Sequence, residues 1–180
     1  MAWTAPMTAV ANTTFTAAQF NQHVRDNLNE TAPAKATSAG SYFVADGVNS
    51  IAERTPNVDS VLTPQTTAST SFTDLSTVGP TVTATTGPYA LVLTHCQVEN
   101  DGLGSAYAGV EVTGASSHAA ALNRAINTFN APNVRVGAGT AVLYAGSLAL
   151  TPGSNTFTMK YRVSSGTGTF GDRRLIVMPL

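Results

Sequence analysis

The stretch that decides the fold is NTFTMKYRV, residues Asn155–Val163. Phe157, Met159, Tyr161 and Val163 alternate with Thr156, Thr158, Lys160 and Arg162. Successive side chains of an extended strand point to opposite faces, so this strand has one apolar face and one wet face. Such a strand covers a core on one side and meets water on the other, as in an antiparallel sheet packed on a second layer.

The same reading extends outward from that strand. Short β-prone runs lie near Ser71–Leu75, Thr81–Thr86, Ala90–Glu99, Ala106–Thr113, Ala120–Phe129, Val134–Leu150 (broken by its Gly and Ala content) and Arg173–Leu180. Turn residues separate them: Gly79-Pro80, Gly87-Pro88, Asn100-Asp101-Gly102, Asn130 to Asn133, Pro152-Gly153 and Ser164 to Gly168. Several short strands at this spacing predict a mainly β protein with a β-sandwich, jelly-roll-like, over residues 65–180. The last strand differs from the others. LIVMPL (Leu175–Leu180) is apolar on both faces, so the core would cover one side and a neighbouring subunit the other. That places Ile176, Met178 and Leu180 at an expected oligomer interface.

Residues 1–64 read as a separate N-terminal segment. Thr14–Glu30 carries one short helix: Thr16 and Gln19 have capping-box spacing, and Ala17, Phe20, Val24 and Leu28 form one stripe. A stripe this short does not fold alone in water, so the helix needs a partner. Phe20, Val24 and Leu28, with Trp3 before them, are the expected anchoring residues. Pro33 ends the helical pattern. SYFVADGVNSIAER (Ser41–Arg54) reads as a small hairpin turning at Asp46-Gly47. Pro56 and Pro64 bracket a strand-poor linker, with the main domain beginning between Pro64 and Ser71.

Composition narrows the function. Hydrophobic residues make up 43% of the 180, enough for a core, while charged residues make up 11%, against an average of about 25%. A chain this poor in charge covers much of its surface with copies of itself or another protein. The formal net charge of −1 leaves no footprint for nucleic acid or an anionic membrane. No run reaches the ~20 apolar residues of a membrane span. Cys96 is the only cysteine, so no intrachain disulfide is expected. MAWTAPMTAVANTT lacks the basic and apolar regions of a signal peptide, which points to synthesis in a cytoplasm.

No set of residues recommends itself for catalysis, and nothing calls for a cofactor or metal. GTGTFG (Gly166–Gly171) fits G-x-G-x-x-G literally, but Asp172-Arg173-Arg174 leads into a strand where the motif needs a helix N-terminus. His23, His95 and His118 lack the i, i+4 spacing of a helical zinc pair. His95 and Cys96 are neighbours on a strand and face opposite ways. GLGSAYAG (Gly102–Gly109) does not supply a nucleophile elbow. Glu99 and Asp101 straddle a turn and read as solvated loop acids, a weak metal or sugar contact being the alternative.

The opening, MAWTAPMTAVANTTFTAAQFNQHVRDNLNETAPAK, resembles the N-termini of virion structural proteins of bacteriophages that infect actinobacteria. The likeness centres on a Trp-containing turn and an N-x-HVRDNL-like helix, here Asn21–Leu28. SYFVADGVNSIAER resembles the β segment that often follows it. SNTFTMKYRVSSGTGTFGDRRLIVMPL (Ser154–Leu180) resembles the closing strands of β-sandwiches on phage head and tail appendages. The resemblance implies a capsid decoration or head-fibre protein exposed on the virion, commonly trimeric, made in the host bacterial cytoplasm and bound to major capsid or tail proteins. Its alternative is a minor tail or tail-fibre protein that binds a host surface glycan. It carries no catalytic residues over to this chain.

Overall fold

A computed structural model describes residues 3–128 and 132–180. The chain divides into two compact units, Met1–Thr55 and Pro56–Leu180.

In the first unit, α1 (Ala17–Phe20), a π-helical turn (Asn21–Arg25) and α2 (Asp26–Asn29) follow one another without a break. The capping box forms as the spacing predicts: the Gln19 N–H donates to Thr16 Oγ1 at 3.2 Å, and the Thr16 N–H donates to Gln19 Oε1 at 2.9 Å. Pro33 does not stop the helical path. It sits in the first turn of α3 (Ala32–Lys35), where a missing N–H costs nothing. The hairpin pairs β1 (Tyr42–Gly47) with β2 (Ser50–Arg54). Its turn lies later than Asp46-Gly47. Gly47 pairs with Ser50, and Val48-Asn49 forms the loop, because Asn49 takes the left-handed conformation at φ 55°.

Glu53 holds the loop before this hairpin. Its carboxylate accepts from the Thr37 and Ser38 N–H groups, each at 3.0 Å, and from the Thr37 and Ser41 hydroxyls. The Ser41 hydroxyl first, then Thr37 and the Ser38 N–H, lower its pKa from 4.5 to about 2. A depressed carboxyl stabilises the folded form above its unfolded value and stops doing so as pH falls through its folded value. The Thr37 and Ser38 amide resonances are therefore expected to titrate with a midpoint near 2. Glu53→Gln should abolish that titration. A midpoint at 4.5 would contradict the carboxylate clasp.

The second unit is a β-sandwich. One sheet has the order β5-β10-β7-β8: β5 (Thr81–Thr86), β10 (Gly153–Val163), β7 (Ala106–Gly114) and β8 (Ile126–Asn127). The other has the order β3-β11-β6-β9, with β4 (Gln65–Thr67) also beside β11. Its strands are β3 (Asn57–Val61), β11 (Gly168–Pro179), β6 (Ala90–Asn100) and β9 (Val136–Tyr144). All pairs in both sheets are antiparallel. The alternation of Asn155–Val163 holds: Phe157, Met159, Tyr161 and Val163 are fully buried. They meet Val92, Cys96 and Val98 of β6 and Phe170, Leu175 and Val177 of β11 in one core. Asn155 faces the same way, and its amide is satisfied by Thr86 Oγ1 (2.8 Å), the Thr151 carbonyl (3.0 Å) and the Ser116 N–H (2.8 Å).

Several expected elements take another form. The stretch after Pro56, read as a linker, supplies β3, which pairs Asn57–Val61 with Val177–Arg173 of β11; pairing to a formed sheet outweighs its weak intrinsic propensity. Ser71–Leu75 reduces to a single bridge, Thr73 to Tyr161, although Leu75 is buried. Ala120–Phe129 shortens to β8, because Leu122–Arg124 forms a 3₁₀ turn in which Arg124 donates to the Ala119 carbonyl; Phe129 lies outside the described residues. The expected break in Val134–Leu150 is present: β9 ends at Tyr144 and a 3₁₀ turn follows at Gly146–Leu148.

The final strand starts at Gly168, earlier than expected, and carries a β-bulge. The register against β6 shifts between Gly171 and Arg174, and Asp172 has φ 44°. One extra residue turns the alternation over. Phe170 and Arg173 both face inward, followed by Leu175 and Val177. Arg173 is thereby fully buried.

Candidate functional site

The first unit has almost no interior. Among its described residues only Asn27 is buried. Its side chain ties the entry of the chain to the helix: Thr4 N–H and Oγ1 donate to Asn27 Oδ1 at 2.9 and 3.0 Å, and Asn27 Nδ2 donates to the Thr4 carbonyl at 3.1 Å. Around this clasp the large apolar groups stand outward. Trp3 is 39% exposed, Phe20 48% and Leu28 59%, while Val24 is half-buried. Phe15 meets Phe20 edge-on, with ring centroids 6.2 Å apart. A cleft of about 520 Å³ opens between Trp3 and the hairpin residues Ala45, Asn49 and Ile51. Phe20, Val24 and Leu28 lie along one helical run; Trp3 is held apart from them at the hairpin turn, its N–H donating to the Asn49 carbonyl at 3.0 Å.

The second unit has two unlike outer faces. On the β5-β10-β7-β8 sheet the outer face is polar. Thr83 Oγ1 and Thr156 Oγ1 are hydrogen-bonded at 2.8 Å. Lys160 bridges Asp74 (2.7 Å) and Glu111 (3.2 Å). The Arg162 guanidinium lies 5.8 and 5.7 Å from the ring centroids of Phe72 and Tyr107.

On the β3-β11-β6-β9 sheet the outer face is aliphatic. The register aligns Val58, Ile176, Leu93 and Ala141 in one row, and Met178, Leu91 and Leu143 in the next. Val58 is 64% exposed and Leu143 54%, while Leu91, Leu93, Ile176, Met178 and Leu180 are half-buried. The core covers one side of LIVMPL through Leu175, Val177 and Pro179, and the other side looks outward. The structure thus brings Ile176 and Met178 together with residues the sequence reading passed over. The signal was present in Ala90–Leu93, where ALVL is apolar on both faces just as LIVMPL is.

The chemistry-bearing residues are engaged in holding loops. Asp101 Oδ1 accepts from the Thr167 N–H at 2.7 Å, which lowers its pKa, and this joins the β6–β7 loop to the β10–β11 turn. Glu99 pairs with Arg135 at 3.0 Å. Gly168–Gly171 of the G-x-G-x-x-G pattern are strand residues of β11. Burial raises the Cys96 thiol to about 12, with the nearby Arg173 cation opposing the shift; a thiol held protonated is a poor nucleophile. Among the described residues no cluster of three or more His, Cys, Asp and Glu side chains is gathered that could hold a metal ion. No helix is long and apolar enough among them to cross a membrane.

No family model and no curated protein matches the sequence. Two solved viral structures are similar to this chain in their path. One is that of infectious bursal disease virus, Gx strain, at 9% identity and TM-score 0.46, covering 72% of this chain and 35% of that one. The other is the VP2 subviral particle of infectious bursal disease virus, at 9% identity and TM-score 0.47, covering 76% and 37%. This chain spans about a third of the length of those chains.

Proposed function

We propose that the protein is a structural component of a bacteriophage virion, a capsid decoration or head-fibre protein. Residues 1–55 attach it to the particle, and the sandwich of residues 56–180 is displayed. One observation carries this reading: among its described residues the first unit buries a single polar side chain, Asn27, and leaves Phe15, Phe20 and Leu28 about half exposed or more. Ordering a chain costs ~1–2 kcal/mol per residue in backbone entropy, which burial must offset. A unit without its own apolar interior gains that burial from a partner. The N-x-HVRDNL resemblance in the same helix supplies the particle as that partner, with the major capsid protein as the surface and a trimer as the assembly.

The test is compositional. Particles are purified, tail-less heads are separated from tails, and the chain is quantified in each by mass spectrometry. The expected result is a fixed, symmetry-related copy number on heads. Recovery on tails alone would support the tail-fibre alternative, in which the sandwich reads a host glycan. Absence from particles would overturn both.

A further inference from the structure

We infer that the aliphatic outer face of the β3-β11-β6-β9 sheet is a self-association surface, covered by the same face of neighbouring copies of this chain around a common axis. The inference identifies the self-contact of the proposed assembly, but it rests on the sandwich alone and not on the attachment of the first unit.

Three observations carry it. First, the two outer faces of one sandwich differ in kind. The β5-β10-β7-β8 face carries threonines, the Lys160 ion pairs and the Arg162 guanidinium over Phe72 and Tyr107. The opposite face presents Val58, Ile176, Leu93, Ala141, Leu91 and Leu143 in two aligned rows. Four strands spaced ~4.8 Å and about six residues at ~3.3 Å give the whole face, charged end included, roughly 400 Å², of which the two rows are about half. Contiguous apolar patches of a few hundred Å² are the largest that a typical soluble monomer exposes, and they are often functional.

Second, the border of the face is electrically neutral by its own internal pairing. Arg174 meets Asp172 at 3.0 Å and Arg135 meets Glu99 at 3.0 Å. A strongly charged partner finds no unpaired counter-charge in these pairs. Two identical neutral borders meet without like-charge repulsion, the condition a self-complementary surface must satisfy.

Third, the charges are confined to one end of the strands. They flank His95–Glu99 of β6, whereas the aliphatic rows occupy Leu91–Leu93. Copies turned toward one axis in the same orientation bring aliphatic rows to aliphatic rows and paired charges to paired charges. An area of roughly 400 Å² per copy is about half the ~800 Å² of a standard stable interface. Association of the free chain is therefore expected to depend on concentration.

The test is sedimentation equilibrium of the full chain from 10 µM to 1 mM, with Leu93→Lys, Leu143→Lys and, on the opposite face, Thr83→Lys. Circular dichroism melting checks each fold. The wild type should move from the 18.5 kDa monomer to a dimer or trimer of that mass. Each lysine on the aliphatic face should weaken association at least about tenfold, roughly the effect of losing one well-buried anchor at an interface centre. Thr83→Lys should leave it unchanged. A wild type that stays monomeric at 1 mM overturns the inference. So does an oligomer that survives Leu143→Lys, the more exposed and better tolerated of the two changes, in a folded protein. Absence of the chain from particles would refute the virion reading and leave this result standing.

Discussion

Arg173→Ala is expected to lower the unfolding free energy of the sandwich by about 1–3 kcal/mol, measured by urea denaturation. Arg173 is fully buried, and its partners are neutral oxygens. Nη1 donates to the carbonyls of Gly79 (3.2 Å) and Thr77 (3.4 Å); Nη2 donates to Gln65 Oε1 (3.1 Å) and the Thr63 carbonyl (3.3 Å). The guanidinium carbon lies 5.4 Å from the centroid of the Tyr161 ring, whose hydroxyl donates to the same Gly79 carbonyl at 2.9 Å. Burial raises the Tyr161 phenol, with the Arg173 cation opposing the shift, so the ring stays neutral under the cation. Alanine would take this donor from the Thr63 and Thr77 carbonyls, while Gly79 keeps the Tyr161 hydroxyl and Gln65 Oε1 keeps the Thr77 N–H, and it would open a cavity beside Tyr161. Both losses add to the cost. Arg173→Lys should recover only part of it, since one ammonium group cannot span acceptors arranged around a planar fork. A loss below about 1 kcal/mol for Arg173→Ala would show that other donors reach these carbonyls.

Phe20→Asp is expected to lower the copy number on particles more than about tenfold while leaving the melting of the sandwich unchanged. Burying a phenylalanine contributes ~1.5–3 kcal/mol, and ~1.4 kcal/mol is a tenfold change in binding. A carboxylate in the same place also has to be desolvated. The sandwich is a separate unit with its own core, so its unfolding serves as the internal control. Full occupancy of particles by Phe20→Asp would remove the helix stripe from the attachment surface.

Much of the fold was legible in single residues. The alternation of Phe157, Met159, Tyr161 and Val163 identified the central strand and its inner face, and the Thr16–Gln19 spacing identified the helix start. Both are local signals, carried by side-chain period and by a cap closed within four residues. The false nucleotide pattern at Gly166–Gly171 could also be rejected locally, by the strand that follows it. What escaped were features whose cause is distant in sequence. Asn57–Val61 has little strand character of its own and forms β3 because β11 offers it an open edge. The Asn49 turn and the Arg124 turn are local and escaped for another reason: a left-handed φ and a side chain folding back on the backbone leave no side-chain period.

The candidate surfaces divide along the same line. Period alone determined that Phe20, Val24 and Leu28 share a stripe, and that Ile176 and Met178 share a face opposite Leu175 and Val177. Only the tertiary structure placed Leu91, Leu93, Ala141, Leu143 and Val58 beside Ile176 and Met178, because cross-strand register is set by pairing and not by any one strand. Only the tertiary structure put Arg173 in the core. In a regular strand Arg173 would lie on the face opposite Phe170. The bulge at Asp172 inserts one residue and turns the arginine inward, where the Thr63, Thr77 and Gly79 carbonyls and Gln65 Oε1 accept from its two terminal nitrogens.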